Sequence, residues 1–349
     1  MKNVQPGIEP VEKYYSIDDF SAVEKYDAHM HLNTFDESFV EQSQEDNFKL
    51  ITINVDVASS FATIDEQQDF AVQQSKKFPG VVNFTSTFSV NNFNKDNWFQ
   101  QTIDRLKDSF SKGAIAVKVW KNIGMELQDS DGSFVMIDDP RFDPLIDFLA
   151  KNNIPLIGHL GEPKNCWLPI EKMTVQGDRN YFSAHPEYHM YLHPEYPSYE
   201  DQIDARDNML AKHPDLKFVG AHFGSLEWSV DEISKRLDRF PNMAVDTAER
   251  ISHLQLQAIT DWQKVQDFCI KYQDRIIYGT DIIVDGTKDP LEMKKHAHDI
   301  RLRHWKFFTS GEMMRVPKVD GEFKGLQLPR EVVDKIYRAN AEKWFQLNH

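Results

Sequence analysis

Cysteine is nearly missing from this chain. Cys166 and Cys269 are the only two, too few for a disulfide framework, so a reducing compartment is the simpler expectation. Positive charge is short as well. The 40 Lys+Arg face 55 Asp+Glu, a formal charge of −15, which argues against an electrostatic grip on nucleic acid or anionic lipid. No run reaches the ~18 apolar residues of a membrane span, and the start, MKNVQPGIEPVEKYY, carries no apolar signal-peptide region. A Gly-rich phosphate loop after the first strand, expected of an open nucleotide-binding sheet, is absent too; the residues there are Asp27-Ala28-His29-Met30-His31. No linker, low-complexity tract or shift of composition divides the chain, so residues 1–349 read as one domain. With 40% hydrophobic and 27% charged residues, the mixture can build a full core and is too even for a disordered chain. The expectation is a globular protein of the cytoplasm.

What is present is a repeating unit. Short β-branched runs at 23–28, 49–57, 81–90, 114–120, 154–160, 216–222, 243–248 and 276–282 alternate with amphipathic helical stretches. The third and fourth runs open after Gly80 and Gly113, good places for a helix to stop. In 97–112, Phe99, Ile103, Leu106 and Phe110 recur at spacings of three and four; in 229–241, Val230, Ile233 and Leu237 do the same before Pro241. Eight strand–helix alternations predict a parallel α/β sheet, and eight is the number that closes a single (β/α)8 TIM barrel. Two segments exceed the minimal unit. One is an insertion after strand 5, about 163–200, which contains His-Pro-Glu-Tyr twice; in a barrel it emerges at the face that carries active sites, as a pocket wall or as a surface excursion. The other, 305–328, precedes a last helix expected over 329–347.

Chemistry concentrates at the strand ends. Side chains alternate along a strand, so His29 and His31 point the same way and can grip one ion. His159 ends the fifth run, His222 the sixth and Asp281 the eighth, each next to Gly or a turn. Any one of these histidines is more simply a satisfied polar group. All five at the same ends of barrel strands would converge on one point, and imidazole with carboxylate is a suitable ligand set for Zn²⁺ and related divalent metals.

The motifs Tyr26-Asp27-Ala28-His29-Met30-His31-Leu32, IGHLG, FVGAHFG and IIYGTDI resemble the amidohydrolase superfamily. The nearer likeness is to the amidohydrolase-related (amidohydrolase 2) branch, with aminocarboxymuconate-semialdehyde decarboxylase-like and lactone hydrolase-like members. The closing LPREVVDKIYRANAEKWF, with Asn340-Ala341, resembles that branch's final helix. The resemblance spans roughly residues 23–347, the insertion excepted. It implies one divalent ion, Zn²⁺ first, on His29, His31, His159 and Asp281, with His222 beside it. The ion would activate a water, Asp281 would take its proton, and His222 would polarise the substrate carbonyl. Lys118, inside the fourth strand, would bridge a second ion if carboxylated, or otherwise lend positive charge or pair with an acid. Arg250 can clamp a substrate carboxylate, and Glu162 and Trp167 open the insertion as pocket candidates.

Three functions stay open at this point: hydrolysis of a small carboxylate-bearing lactone, amide or ester; non-oxidative decarboxylation of an unsaturated or aromatic acid; and ligand binding without catalysis. The expected partner is a small-molecule substrate, with neither nucleic acid nor membrane, and the resemblance implies a homodimer. His185, His189 and His193 read as ordinary loop histidines, and His213 and His304 as helix residues without a role.

Overall fold

The computed structural model describes residues 13–57 and 62–347. Strands β1 (Lys25–Leu32), β2 (Phe48–Ile53), β3 (Val82–Thr87), β4 (Val117–Val119), β5 (Leu156–Gly158), β6 (Phe218–Gly220), β7 (Met243–Asp246) and β8 (Ile276–Ile277) follow one another in parallel, each paired with its sequence neighbour. A further short strand, β9 (Ile283–Val284), pairs in parallel with β1, His31 opposite Ile283. The eighth stave is therefore one strand broken in the middle, β8 lying on β7 and β9 on β1. Between the two halves the chain stays against β1. Ala28 N–H donates to the Tyr278 carbonyl (3.0 Å), Thr280 and Asp281 N–H to that of His29 (3.2 and 2.7 Å), and His31 N–H to that of Ile282 (2.8 Å). The expected TIM barrel is present, with this seam as a broken stave.

The sequence pattern explains most of the elements. The helix Val230–Arg239 buries Val230, Ile233 and Leu237 as the spacing predicts. In Trp98–Ser111, Ile103 and Leu106 are buried, but Trp98 takes the inner position and Phe99 is exposed. Gly80 and Gly113 lie between helix and strand at φ of 75° and 105°, a region that favours glycine. Boundaries moved where polar side chains ended up inside: β1 runs on through His29 and His31 to Leu32, although 23–28 was expected. The eighth run, read as 276–282, breaks because Asp281 sits at φ 64°.

The final helix is Arg330–Asp334, a π-helical turn Lys335–Ala339, and Asn340–Trp344. Asn340 Nδ2 donates to the carbonyls of Gln273 and Ile276, both at 2.7 Å, pinning this helix beneath β8. The helix Pro290–Thr309 extends into the segment expected to be a mere connection, which also forms a small antiparallel ladder of β10 (Met313–Met314) and β11 (Phe323–Lys324). Among the described residues no helix is long and apolar enough to cross a membrane. The insertion after β5 is a series of short 3-10 turns around one helix, Gln176–Ala184, packed on a small core of Met125, Cys166, Met173, Phe182 and Met190.

Candidate functional site

At the C-terminal ends of the strands lies a cavity of about 400 Å³. His29, His31, Lys118, His159, His222 and Asp281 all line it, with Glu162 and Arg250 on its wall. Donor atoms of His29, His222 and Asp281 come within 4.8 Å of one another. The tightest trio thus contains His222. His31 adjoins it, its Nε2 3.2 Å from Asp281 Oδ1, and His159 Nδ1 lies 3.2 Å from His222 Nε2.

Three of the imidazoles are oriented by their second nitrogen. His29 Nδ1 lies 2.7 Å from Asp246 Oδ2, so in the neutral ring Nδ1–H donates to the carboxylate and Nε2 keeps its lone pair toward Asp281, 3.4 Å away. His31 Nδ1 is 2.7 Å from the Ile53 carbonyl and His222 Nδ1 is 2.9 Å from that of Ala248. A carbonyl only accepts, so both rings carry their proton at Nδ1 and offer Nε2 to the cavity. His222 is therefore built to present a lone pair at Nε2.

The backbone around His222 is unusual. His222, Phe223, Gly224 and Ser225 have φ of 56°, 57°, 64° and 56°, one turn of left-handed helix. Such a turn costs roughly 1–2 kcal/mol for each residue with a Cβ. It is held by Asp246, whose Oδ1 accepts from His222 N–H (2.8 Å) and Ala248 N–H (3.1 Å), and by Arg206, which donates to the Gly224 carbonyl. Ser225 Oγ donates to the Gly161 carbonyl (3.0 Å).

Burial sets the protonation states. It pushes His29 below the ordinary histidine range, His159 well below it and His222 down to about 3, with neighbouring cations adding to the effect. The rings are neutral at pH 7. Lys118 is buried with Nζ 3.4 Å from His29 Nε2, and burial brings its ammonium down to about 8.

The insertion contributes Pro163, Gly177, Asp178, Tyr181 and Phe182 to the cavity, so it is a pocket wall. Glu162 pairs with Lys121, a lining residue the sequence reading passed over. Asp178 ties the insertion down, with Oδ2 2.8 Å from Asn165 Nδ2 and 3.3 Å from His253 Nε2. The Arg250 Nε is buried and has no hydrogen-bond partner. Trp167 does not line the cavity; its ring packs on Tyr199 and its N–H donates to the Pro197 carbonyl (3.3 Å). His189 (Nε2 2.8 Å from the Leu168 carbonyl) and His213 (paired with Asp143 and Asp147) are satisfied structural residues.

Asp246 was missed at the sequence level. Its signal was available: like Asp281, it is an acid that closes an apolar run, Met243-Ala244-Val245.

A family model described as "Amidohydrolase" matches residues 89–347. Among solved structures, an uncharacterized TIM-barrel protein from Bordetella bronchiseptica is 15% identical, with 93% of this chain and 99% of that one covered and a TM-score of 0.51. A 2,6-dihydroxybenzoate decarboxylase from Rhizobium is 16% identical over 89% of this chain and 88% of its own, with a TM-score of 0.50. A probable 2-pyrone-4,6-dicarboxylic acid hydrolase from Acinetobacter baumannii is 12% identical over 93% and 100%, with a TM-score of 0.48. At these identities the likeness is one of fold. No protein of curated function matches the chain.

Proposed function

Because the chain belongs to the amidohydrolase family, we propose that it is a metal-dependent hydrolase acting on a small lactone, amide or ester that bears a carboxylate. The observation that carries this reading is the convergence of His29, His222 and Asp281 donors within 4.8 Å at the mouth of the barrel. Two neutral imidazoles and a carboxylate fit a divalent ion such as Zn²⁺, with His31 and His159 adjoining. Once bound, the ion supplies Lewis acidity, which acidifies water and polarises an acyl oxygen.

The chain's own groups do the rest. Asp281 is the base: it stays ionised between His29 and His31 and accepts a proton from water at its carboxylate, later returning it to the leaving group. Asp246 and the Ala248 carbonyl keep the His29 and His222 lone pairs pointed inward. Arg250, with its free Nε, binds the substrate carboxylate. Lys118 has two roles open to it, cation beside the acyl oxygen or carboxylated bridge between two ions. A carbamate signal in ¹³C NMR after incubation with labelled bicarbonate identifies the second.

A second reading, non-oxidative decarboxylation of an aromatic or unsaturated acid, draws support from the wall of Trp120, Tyr181 and Phe182, which offers flat surfaces to a ring. The test is metal analysis of the purified protein, followed by a substrate panel with added Zn²⁺ or Mn²⁺. Acid release from lactones, esters or amides supports hydrolysis. CO₂ release establishes the second reading instead. A protein that neither holds nor takes up metal overturns both.

A further inference from the structure

The carboxylate proposed as the base stands on a turn that its neighbours build. Asp281 has a φ of 64°, the left-handed region that disfavours any residue with a Cβ, so its surroundings must hold it there. Its own N–H donates to the His29 carbonyl (2.7 Å), and His31 N–H donates to the Ile282 carbonyl (2.8 Å). Thr280 spans the turn with its side chain. Its hydroxyl oxygen accepts from Ile282 N–H (3.3 Å), enclosing Asp281 between the two residues. The same hydroxyl donates to Asp27 Oδ2 (2.7 Å), and Thr280 N–H donates to Asp27 Oδ1 (3.0 Å).

Asp27 belongs to β1, two residues before His29. Alternation along a regular strand would put both on one face. The register of β1 on β2 shifts between Asp27 and Met30, however, and Asp27 meets the helix Pro290–Thr309 while His29 lines the cavity. From that helix Arg301 donates to Asp27 Oδ2 through Nη2 (2.9 Å) and Nε (3.3 Å). Asp27 and Arg301 are both 0% exposed, and Thr280 is 3% exposed. Asp27 thus accepts two bonds from each partner, which fills the roughly four acceptor sites of a carboxylate. A buried ion pair adds little net stability over apolar packing; its better use is to fix one arrangement. What this pair fixes is the backbone one residue before Asp281.

We propose that Asp27 and Thr280 are positioning residues for Asp281, clasping the left-handed turn that aims its carboxylate at His29 and His31. Neither lines the cavity of the site, so both act through Asp281. The consequence for the reaction rests on the role proposed above for Asp281, whereas the clasp itself does not.

The experiment compares the native full chain with Thr280→Val, Thr280→Ser and Ser43→Ala. Valine keeps the shape of Thr280 without its hydroxyl, and serine keeps the hydroxyl. Asp27 is left intact, since its loss would strand a buried arginine. Ser43 is the control: its hydroxyl accepts from Arg301 Nη1 (2.9 Å), so Ser43→Ala loosens the same arginine without touching the turn. Two quantities are read, amide hydrogen exchange at Asp281 and Ile282 in the metal-free protein, and Co²⁺ affinity with its visible d–d spectrum. Thr280→Val should exchange both amides faster, bind Co²⁺ roughly 10–100-fold more weakly and shift the d–d bands. Thr280→Ser and Ser43→Ala should match the native protein in all three. Unchanged exchange in Thr280→Val overturns the clasp, and native Co²⁺ affinity and spectrum in that variant overturn the positioning role. Equal losses in Thr280→Ser or Ser43→Ala overturn both, because general loosening would then explain them. Native protein that takes up no Co²⁺ defeats the metal reading alone, and the exchange comparison then decides the clasp by itself.

Discussion

One carboxylate, Asp246, serves His29 with one oxygen and the backbone of His222 with the other: Oδ2 lies 2.7 Å from His29 Nδ1 and Oδ1 2.8 Å from His222 N. Both partners are donors. An asparagine offers a single acceptor oxygen, so in Asp246→Asn one donor faces an NH₂ group. We expect this variant to remain folded while metal affinity falls roughly 10–100-fold. Titration against a competing chelator, with circular dichroism as the fold control, checks it. Unchanged affinity would remove Asp246 from the positioning of the ligands.

Asp281 and His29 should fail differently. Asp281→Asn keeps the shape and one oxygen but loses the charge and most of the basicity, so turnover should drop by about 10²–10⁴-fold with part of the metal retained. His29→Ala deletes a donor and should lose the metal itself. Metal content and turnover measured side by side separate the two. Near-normal activity in Asp281→Asn would falsify the proton-accepting role.

At Gly279 the eighth stave packs tightly against β1. A Cβ there would sit 2.7 Å from His29 Cβ and 3.2 Å from His29 N. Neither neighbour can retreat without moving His29. Gly279→Ala should cost about 1–3 kcal/mol of stability and weaken metal binding as well. A urea midpoint and metal content equal to those of the native protein would show that the seam has slack.

Asp178 makes the insertion's hold on the barrel depend on acid. Burial alone would raise its carboxyl, but His253, 3.3 Å away, and the charge of Arg250 bring it down to about 2, from an ordinary 3.8. The folded value is the lower one, so as pH falls the unfolded chain takes up the proton first. The contribution, on the order of 2 kcal/mol, is complete above about pH 4 and is lost as pH falls through about 2. In Asp178→Asn, stability should be lower at neutral pH and should fall less steeply between pH 4 and 2, as read from urea midpoints across that range. Parallel curves for the two proteins would show that the pair with His253 does not hold the insertion.

The site was legible in the sequence to the extent that it sits on regular strands. His29, His31, His159, His222 and Asp281 each stand at or just past the end of an expected strand, and all five line one cavity. The choice of protonated nitrogen was hidden, because it is set by the carbonyls of Ile53 and Ala248, which only the fold brings near. Nothing in the loop's own sequence orders 163–200, so Asp178, Tyr181 and Phe182 could not be foreseen as wall while Trp167 turned away toward Tyr199. The broken eighth stave was invisible for a related reason. IIYGTDI has the composition of one continuous strand, and what breaks it is the left-handed backbone at Asp281, held by the His29 carbonyl across the seam.

That seam also bears on the order in which the molecule assembles. The bonds that join the first stave to the last are the ones that set Asp281 beside the histidines, linking groups 250 positions apart in the case of His31 and Asp281. Contacts so distant along the chain carry the largest closure entropy and form late. A nascent chain that has released β1 to β7 thus holds the histidines without the acid. Metal uptake followed during refolding should consequently lag behind helix formation and coincide with the last structural phase, making the ion a reporter of ring closure.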